Sequence, residues 1–232
     1  MSAAGPGGSL TVLKCGGSVA GGALADVVAR VDALRRHGGV VLVHGAGPQI
    51  SAEMARRGLD VVFVEGRRVT TPEGLEVVRE ALAAVNAACC AALGPRAVAL
   101  AGDEIGLEAA HVPELGLVGE PEPCRPPAVL EALAAGHVPV VAPLGVGPLN
   151  VNADAAAAAL AVGLGADRLV FVTDVPGVLL DGAVCEALDA GEAERLLRAE
   201  VFEGGIVPKL RAAVTAARAG LDVRVGVTAV TA

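Results

Sequence analysis

Short apolar runs alternate along the chain with longer stretches in which Ala, Leu and Arg recur at helical spacing. The runs Leu10–Leu13, Val40–Val43, Ala97–Leu100, Val138–Ala142, Arg168–Val172 and Asp222–Val227 predict strands. Most carry no polar alternation, as expected for strands covered on both faces. Helices are predicted over Leu24–His37, Gln49–Arg57, Pro72–Leu93, Pro126–Ala135, Asp154–Leu164, Glu192–Ala199 and Pro208–Ala219. Pro72 suits a first helical position and Thr71 suits the cap before it. Strand and helix taking turns in this way predicts an α/β fold, a three-layer α/β/α sandwich around a mainly parallel sheet. The segments Asp60–Val69 and Asp103–Val118 read as short extended pieces or hairpins, and the Gly/Pro-broken Leu144–Leu149 as a seam between two lobes, 1–144 and 145–232.

Composition narrows the function classes. At 232 residues and 53% hydrophobic, the chain can bury a sizeable core. Its longest apolar run, Ala155–Ala166, is too short to span a bilayer, so no transmembrane helix is predicted. Met1–Ser9 lacks the basic and apolar regions of a secretory signal. A net charge of −8 and an aromatic content of three Phe argue against nucleic acid and anionic membranes as partners. Five cysteines with no C-x-x-C pair read as reduced thiols in a cytoplasmic protein, and the four scattered histidines show no metal-ligand spacing. Arg outnumbers Lys sixteen to two, which draws attention to where Lys14 and Lys209 stand.

Both lysines stand beside glycines. In LTVLKCGGS a strand ends in Lys14 and runs through Gly16-Gly17 toward a helix. In VVLVHGAGPQ a buried strand meets Gly45-Ala46-Gly47 before a helix opened by Pro48. Such turns let a polyanion approach backbone N–H groups at a helix N-terminus. Neither fits the P-loop or the complete dinucleotide fingerprint. Lys209, in FEGGIVPK, sits just inside a helix after Gly204-Gly205, where the dipole disfavours a purely structural cation. NVNAD places Asn150, Asn152 and Asp154 at the start of the Ala-rich helix, more polar groups than a cap requires. LVFVTDVPGV carries Thr173, Asp174 and Gly177 after a buried strand, and in EGRRVTT either Arg67 or Arg68 could fork onto a carboxylate.

Together LKCGGS, VHGAGP, GRRVTTPE, PLNVNADAAA, FVTDVPGVL and GGIVPKL resemble the amino-acid kinase family, and within it the acetylglutamate kinases, in register from about Leu10 to Val227. The resemblance implies ATP-dependent phosphorylation of the side-chain carboxylate of N-acetyl-L-glutamate, a step of arginine biosynthesis. It implies that Lys14 and Lys209 contact the transferred phosphoryl group and that Asp154 orients them. Gly16, Gly17, Gly45 and Gly47 would bring backbone N–H groups to phosphates. The turn Gly45-Ala46-Gly47, Arg68, Asn150 and Asn152 would face the amino acid, and Gly16, Gly17, Thr173, Asp174 and Gly177 the nucleotide. Mg²⁺ would arrive on the ATP phosphates, with no metal ligands from the protein. The 1–144 lobe would hold the amino acid and the dimer contact, and the 145–232 lobe the ATP.

Departures from the family pattern carry expectations of their own. Ala46 replaces a common glycine, tolerable if its φ is negative; Cys15 and Val207 are milder changes. Relatives usually continue beyond the last predicted strand with a helix and a Gly-Thr strand, so a bare sheet edge or another cover is expected here. Relatives inhibited by arginine carry an extra N-terminal helix. Met1–Ser9 is not helix-forming, and a homodimer without arginine feedback is expected. Two other readings compete. A kinase for aminoadipate or glutamate on an acidic carrier protein would need a basic docking surface, for which Arg56-Arg57 and Arg67-Arg68 are the candidates. A non-catalytic binding or regulatory protein would have had little reason to keep both lysines and Asp154.

Overall fold

A computed structural model describes residues 8–17 and 22–232. Ser18 of the first glycine turn and most of the Met1–Ser9 segment, up to Gly7, lie outside the described residues. The first half of the chain runs β1 (Ser9–Cys15), α1 (Gly22–Arg35), β2 (Gly38–His44), α2 (Gly47–Arg56), the hairpin β3 (Phe63–Val64) and β4 (Arg67–Arg68), α3 (Pro72–Leu93), β5 (Ala97–Ala101), α4 (Gly102–Ile105), β6 (Ala109–His111), β7 (Val118–Pro121), α5 (Pro127–Ala134) and β8 (Val138–Ala142). The second half runs β9 (Leu144–Gly145), β10 (Leu149–Val151), α6 (Ala153–Leu164), β11 (Arg168–Phe171), β12 (Leu179–Leu180), β13 (Ala183–Val184), β14 (Ala187–Asp189), α7 (Ala190–Arg198), α8 (Ile206–Arg218), β15 (Asp222–Val225) and β16 (Thr228–Thr231).

One eight-stranded sheet of order β14-β16-β15-β11-β1-β2-β8-β5 crosses the molecule. From β15 to β5 every pairing is parallel. The strand β1 lies between β2 and β11, so the two halves of the chain meet along its two edges. Helices cover both faces over two apolar clusters. One holds Leu160, Leu169, Phe171 and Leu210; the other holds Leu13, Val31, Leu42 and Leu82. The central parallel strands are therefore mostly apolar, as their sequence predicts, while β15, nearer the edge, alternates exposed Asp222 and Arg224 with buried Val223 and Val225. The C-terminal ends of the central strands open onto one cleft.

Several expectations are refined. Thr71 caps α3, its Oγ1 accepting from Gly74 N at 3.1 Å. That helix has the length and apolar composition of a membrane span, at a mean hydropathy of 1.4, contrary to the expectation from the longest apolar run. It is nonetheless a layer helix of the sandwich, with Leu75, Val77, Val78, Leu82 and Val85 buried in the core. The Asp222–Val227 run is not one strand: Gly226, at φ 59°, turns the chain back into β16. A Cβ there would lie 2.2 Å from the Pro176 carbonyl oxygen, so the turn requires glycine. The edge of β15 is thus covered by antiparallel β16, which pairs in turn with β14. Asp60–Val69 contains the β3–β4 hairpin, whereas Asp103–Val118 holds most of α4 before the β6 strand that pairs with β7. The Leu144–Leu149 seam is the turn of a β9–β10 hairpin in a second sheet of order β6-β7-β10-β9.

Candidate active site

A cleft of about 680 Å³ lies at the C-terminal ends of β1, β2 and β11. Its lining contains both lysines, Asp154, both glycine turns, Arg68, Asn150, Asn152, Thr173 and Asp174. Gly177 is not among the lining residues. A Cβ there would lie 2.5 Å from Thr228 Oγ1 and 3.0 Å from Val184 Cγ1, so there is no room for a side chain.

At the centre stands a carboxylate between two ammonium groups. Lys14 Nζ lies 2.7 Å and Lys209 Nζ 2.9 Å from the same oxygen, Asp154 Oδ1. β1 delivers Lys14, the first turn of α6 delivers Asp154, and the first turn of α8 delivers Lys209. All three side chains are largely buried. Burial pushes the Asp154 carboxyl up, but the two ammonium groups outweigh it and hold it below the usual carboxylate range. Lys209 is shifted down, by burial first and by repulsion from Lys14 next, against the pull of Asp154. Its Nζ also stands 5.4 Å from the Phe171 ring centre. One carboxylate occupies a single donor on each lysine, and each ammonium has three. The pair therefore keeps donors and net positive charge for an anion in the cleft.

The two glycine turns touch. A Cβ on Gly17 would lie 2.8 Å from both Gly47 N and Pro48 Cδ, so only glycine fits. Gly45 N–H donates to the Cys15 carbonyl at 3.0 Å and Gln49 Nε2 to the Gly17 carbonyl at 2.5 Å, locking the turns together. The Gly45 N–H is thereby used within the fold. Ala46 precedes α2 with φ −142°, so its methyl group is accommodated, and α2 starts at Gly47 with Pro48 in its first turn. Gly47 has open space where a Cβ would project.

On one flank the β3–β4 hairpin decides between the two arginines. Both line the cleft, but Arg67 is partly exposed and lies 3.4 Å from Glu120, while Arg68, beside it on β4, is buried. Arg68 is 6% exposed, donates from Nη2 to Ser51 Oγ at 2.9 Å and to the Gly47 carbonyl at 3.3 Å, and lies 4.6 Å from the Phe63 ring centre. Among the described residues no carboxylate pairs with it, and burial pulls its guanidinium below the usual value. Fully buried Thr70 accepts from Asn150 Nδ2 at 2.9 Å and donates to the Arg68 carbonyl at 2.8 Å, tying β10 to β4. Asn152 caps α6, its Oδ1 accepting from Asp154 N at 2.9 Å and Ala155 N at 3.1 Å, so its carbonyl oxygen serves the helix. The sequence reading misses Ser51, Thr70, Gln49 and Phe63. Thr70 and Gln49 lie inside the quoted motifs, whereas Ser51 is recognisable only by being four residues, one helical turn, after Gly47.

Thr173 and Asp174 follow β11 on the opposite flank, where Asp174 and Val175 are exposed. Among the described residues no group of three or more His, Cys, Asp or Glu side chains could hold a metal ion.

The chain matches the model of the amino acid kinase family over residues 9–226. It is 44% identical over 223 residues to the acetylglutamate kinase of Rubrobacter xylanophilus, covering 92% of this chain and 87% of that one. Identity to the acetylglutamate kinase of Geobacillus stearothermophilus is 40% over 221 residues, covering 90% and 86%. The crystal structure of smu.665 from Streptococcus mutans superposes with a TM-score of 0.84 at 28% identity, covering 96% of this chain and 98% of that one. With buried lysines, glycine turns and sheet order in place across the matched span, the chain belongs to the amino acid kinase family.

Proposed function

We propose that the chain transfers the γ-phosphoryl group of ATP to the side-chain carboxylate of N-acetyl-L-glutamate, giving the 5-acyl phosphate and ADP. The observation that carries this reading is one cleft holding a buried, carboxylate-free Arg68 opposite the Lys14–Asp154–Lys209 cluster, in a chain 40–44% identical to acetylglutamate kinases. A carboxylate acceptor is ionised near neutrality, with a reference pKa of about 4.3, so no base is required. An acceptor oxygen bonds to the γ-phosphorus as the bond to the ADP oxygen breaks, and the departing charge stays on ADP. The work left to the protein is to align two anions and neutralise the group between them.

In this reading Arg68 and Asn150 hold the far end of the acceptor. Lys14 and Lys209 flank the transferred group, Asp154 holds them apart from one another's charge, and the turn N–H groups other than that of Gly45 face the phosphates. Residues 1–144 serve the amino acid and residues 145–232 the nucleotide, with Thr173 and Asp174 on that side. Mg²⁺ comes with the ATP phosphates, for Asp154 is already engaged by both lysines. Five free cysteines suit a reducing, cytoplasmic compartment. The carrier-protein reading is weakened because its basic candidates are internally paired: Arg56 and Arg57 with Glu53, Arg57 with Glu80, and Arg67 with Glu120.

A homodimer is supported by the outer face of α3. Ala83, Ala84, Ala87, Ala88, Ala91 and Ala92 are exposed there, beside β5, the last strand of the sheet. A second copy would cover an apolar helix face and an unpaired strand edge together. Light scattering should report a dimer, and Ala87→Glu a monomer; a monomeric wild type would refute the dimer.

The decisive experiment is hydroxylamine trapping of the acyl phosphate, with ATP and N-acetylglutamate, glutamate or aminoadipate, in wild type and Lys209→Arg. Hydroxamate from N-acetylglutamate alone, lost in the variant, is the expected result. ATP binding without hydroxamate from any acceptor would favour the non-catalytic alternative.

A further inference from the structure

His44 ends β2 immediately before the second glycine turn and is fully buried, yet the chemistry above does not use it. Its surroundings fix where its proton sits. Asn86, on α3, donates from Nδ2 to the Val140 carbonyl at 2.9 Å, and its Oδ1 accepts from Cys90 Sγ at 3.5 Å. A carbonyl can only accept, so the amide cannot be turned round and Nδ2 must face Val140. The same Nδ2 lies 3.1 Å from His44 Nε2 and has a second hydrogen to give. Nε2 is therefore the acceptor, and the ring hydrogen sits on Nδ1. Nδ1 in turn lies 3.5 Å from the Gly45 carbonyl oxygen, a long contact. Burial pushes the imidazole down to about 4, so the ring carries one proton near neutrality.

The direction of that carbonyl has a consequence for the cleft. In a planar trans peptide the C=O and the following N–H point opposite ways. With the Gly45 oxygen turned toward a fully buried ring, the Ala46 N–H turns the other way, toward the cleft that Gly45, Ala46 and Gly47 line. Among the described residues the Ala46 N–H has no partner. We propose that His44, held as its Nδ1–H tautomer by Asn86, is a positioning residue that keeps the Gly45–Ala46 peptide oriented so that the Ala46 N–H meets the transferred phosphoryl group. The inference rests on the kinase reading of this cleft.

Two isosteric variants separate the roles of the ring nitrogens. His44→Asn can place an amide N–H where Nδ1 stands, whereas His44→Gln places an acceptor where Nε2 stands and leaves no donor at Nδ1. In the hydroxamate assay His44→Gln should lose about 10- to 100-fold in kcat, below the effect of deleting a preorganised donor outright. Both KM values should stay within about 2-fold, and His44→Asn should recover most of the loss. Equal kcat in the two variants, or a loss confined to KM, would overturn the proposal. A second measurement needs no variant of His44. Wild-type protein labelled with ¹⁵N in its imidazoles, assigned by elimination with His37→Gln, His111→Gln and His137→Gln, should show Nε2 of His44 unprotonated at pH 7. A protonated Nε2 would refute it. Wild type that forms no hydroxamate would instead sink the kinase reading, and the tautomer result would stand apart from that failure.

Discussion

The two flanks of the cleft are built differently. Around Arg68 the polar groups brace one another: the guanidinium donates to Ser51 and Gly47, its backbone carbonyl accepts from Thr70, and Thr70 accepts from Asn150. Around Thr173 the chain is open, with Asp174, Val175, Leu179, Val184 and Val227 exposed. A buried, prearranged cation discriminates by leaving its charge unpaired when the wrong ligand binds, whereas an open apolar rim accepts a ligand mainly by shape. In the reading proposed here, selectivity lies on the acceptor flank and the nucleotide flank contributes affinity.

Four substitutions or titrations can break or sharpen that contrast. The largest effect is expected midway, at Asp154→Asn. It should lower kcat about 10²- to 10³-fold while leaving both KM values near wild type. It should also lower the melting temperature, since two buried ammonium groups lose their counter-charge. A change confined to one KM would put Asp154 on one flank only. Next, Arg68→Lys removes the planar fork and should raise KM for N-acetylglutamate about 10- to 100-fold with KM for ATP unchanged; a rise in both would erase the distinction between flanks. Thr173→Val should raise KM for ATP only about 2- to 5-fold, as befits a half-exposed hydroxyl. A loss as large as that at Arg68 would contradict the picture of an open flank.

The smallest effect is a displacement in pH. Burial and Lys14 lower the pKa of Lys209 in the folded protein. The ammonium therefore loses its proton at a lower pH than an ordinary lysine, and kcat should fall as pH rises through that value, below 10.5. Asp154→Asn removes the attraction that opposes the shift, so its residual activity should fall at a still lower pH. A limb that stays put would mean another group is titrating.

The sequence is most informative where one residue type has one physical use. Thr71-Pro72 marks the start of α3 and the glycine pairs mark the turns, because caps and close backbone approach leave few alternatives. Two lysines against sixteen arginines lead to the central carboxylate for the same reason. Strands of two or three residues, such as β4, β9 and β10, are too short to show a period, so the choice between Arg67 and Arg68 had to wait for the hairpin. Asn86 is one of only three asparagines, yet it serves a buried histidine and a sheet carbonyl in place of any ligand. Its partners are 42 and 54 residues away, a distance no local pattern can reveal. The fold beyond β15 was likewise hidden, because a single glycine converts an apparent six-residue strand into a reversal.

The position of β1 has a consequence for synthesis. Thr11 pairs with Arg168 and the Leu10 N–H donates to the Asp167 side chain, 157 residues along the chain. At translation rates of about 5–20 residues per second, the far edge of β1 waits roughly 10–30 s for its partner to be made. The strand β1 is thus among the last to be sealed, and the Lys14–Asp154 pair gains its second ammonium, Lys209, only after α8 has been synthesised. A nascent chain stalled before β11 would therefore present an unpaired, mostly apolar strand edge, which makes the interval before β11 docks the stage at which this protein is most exposed to aggregation and to chaperones.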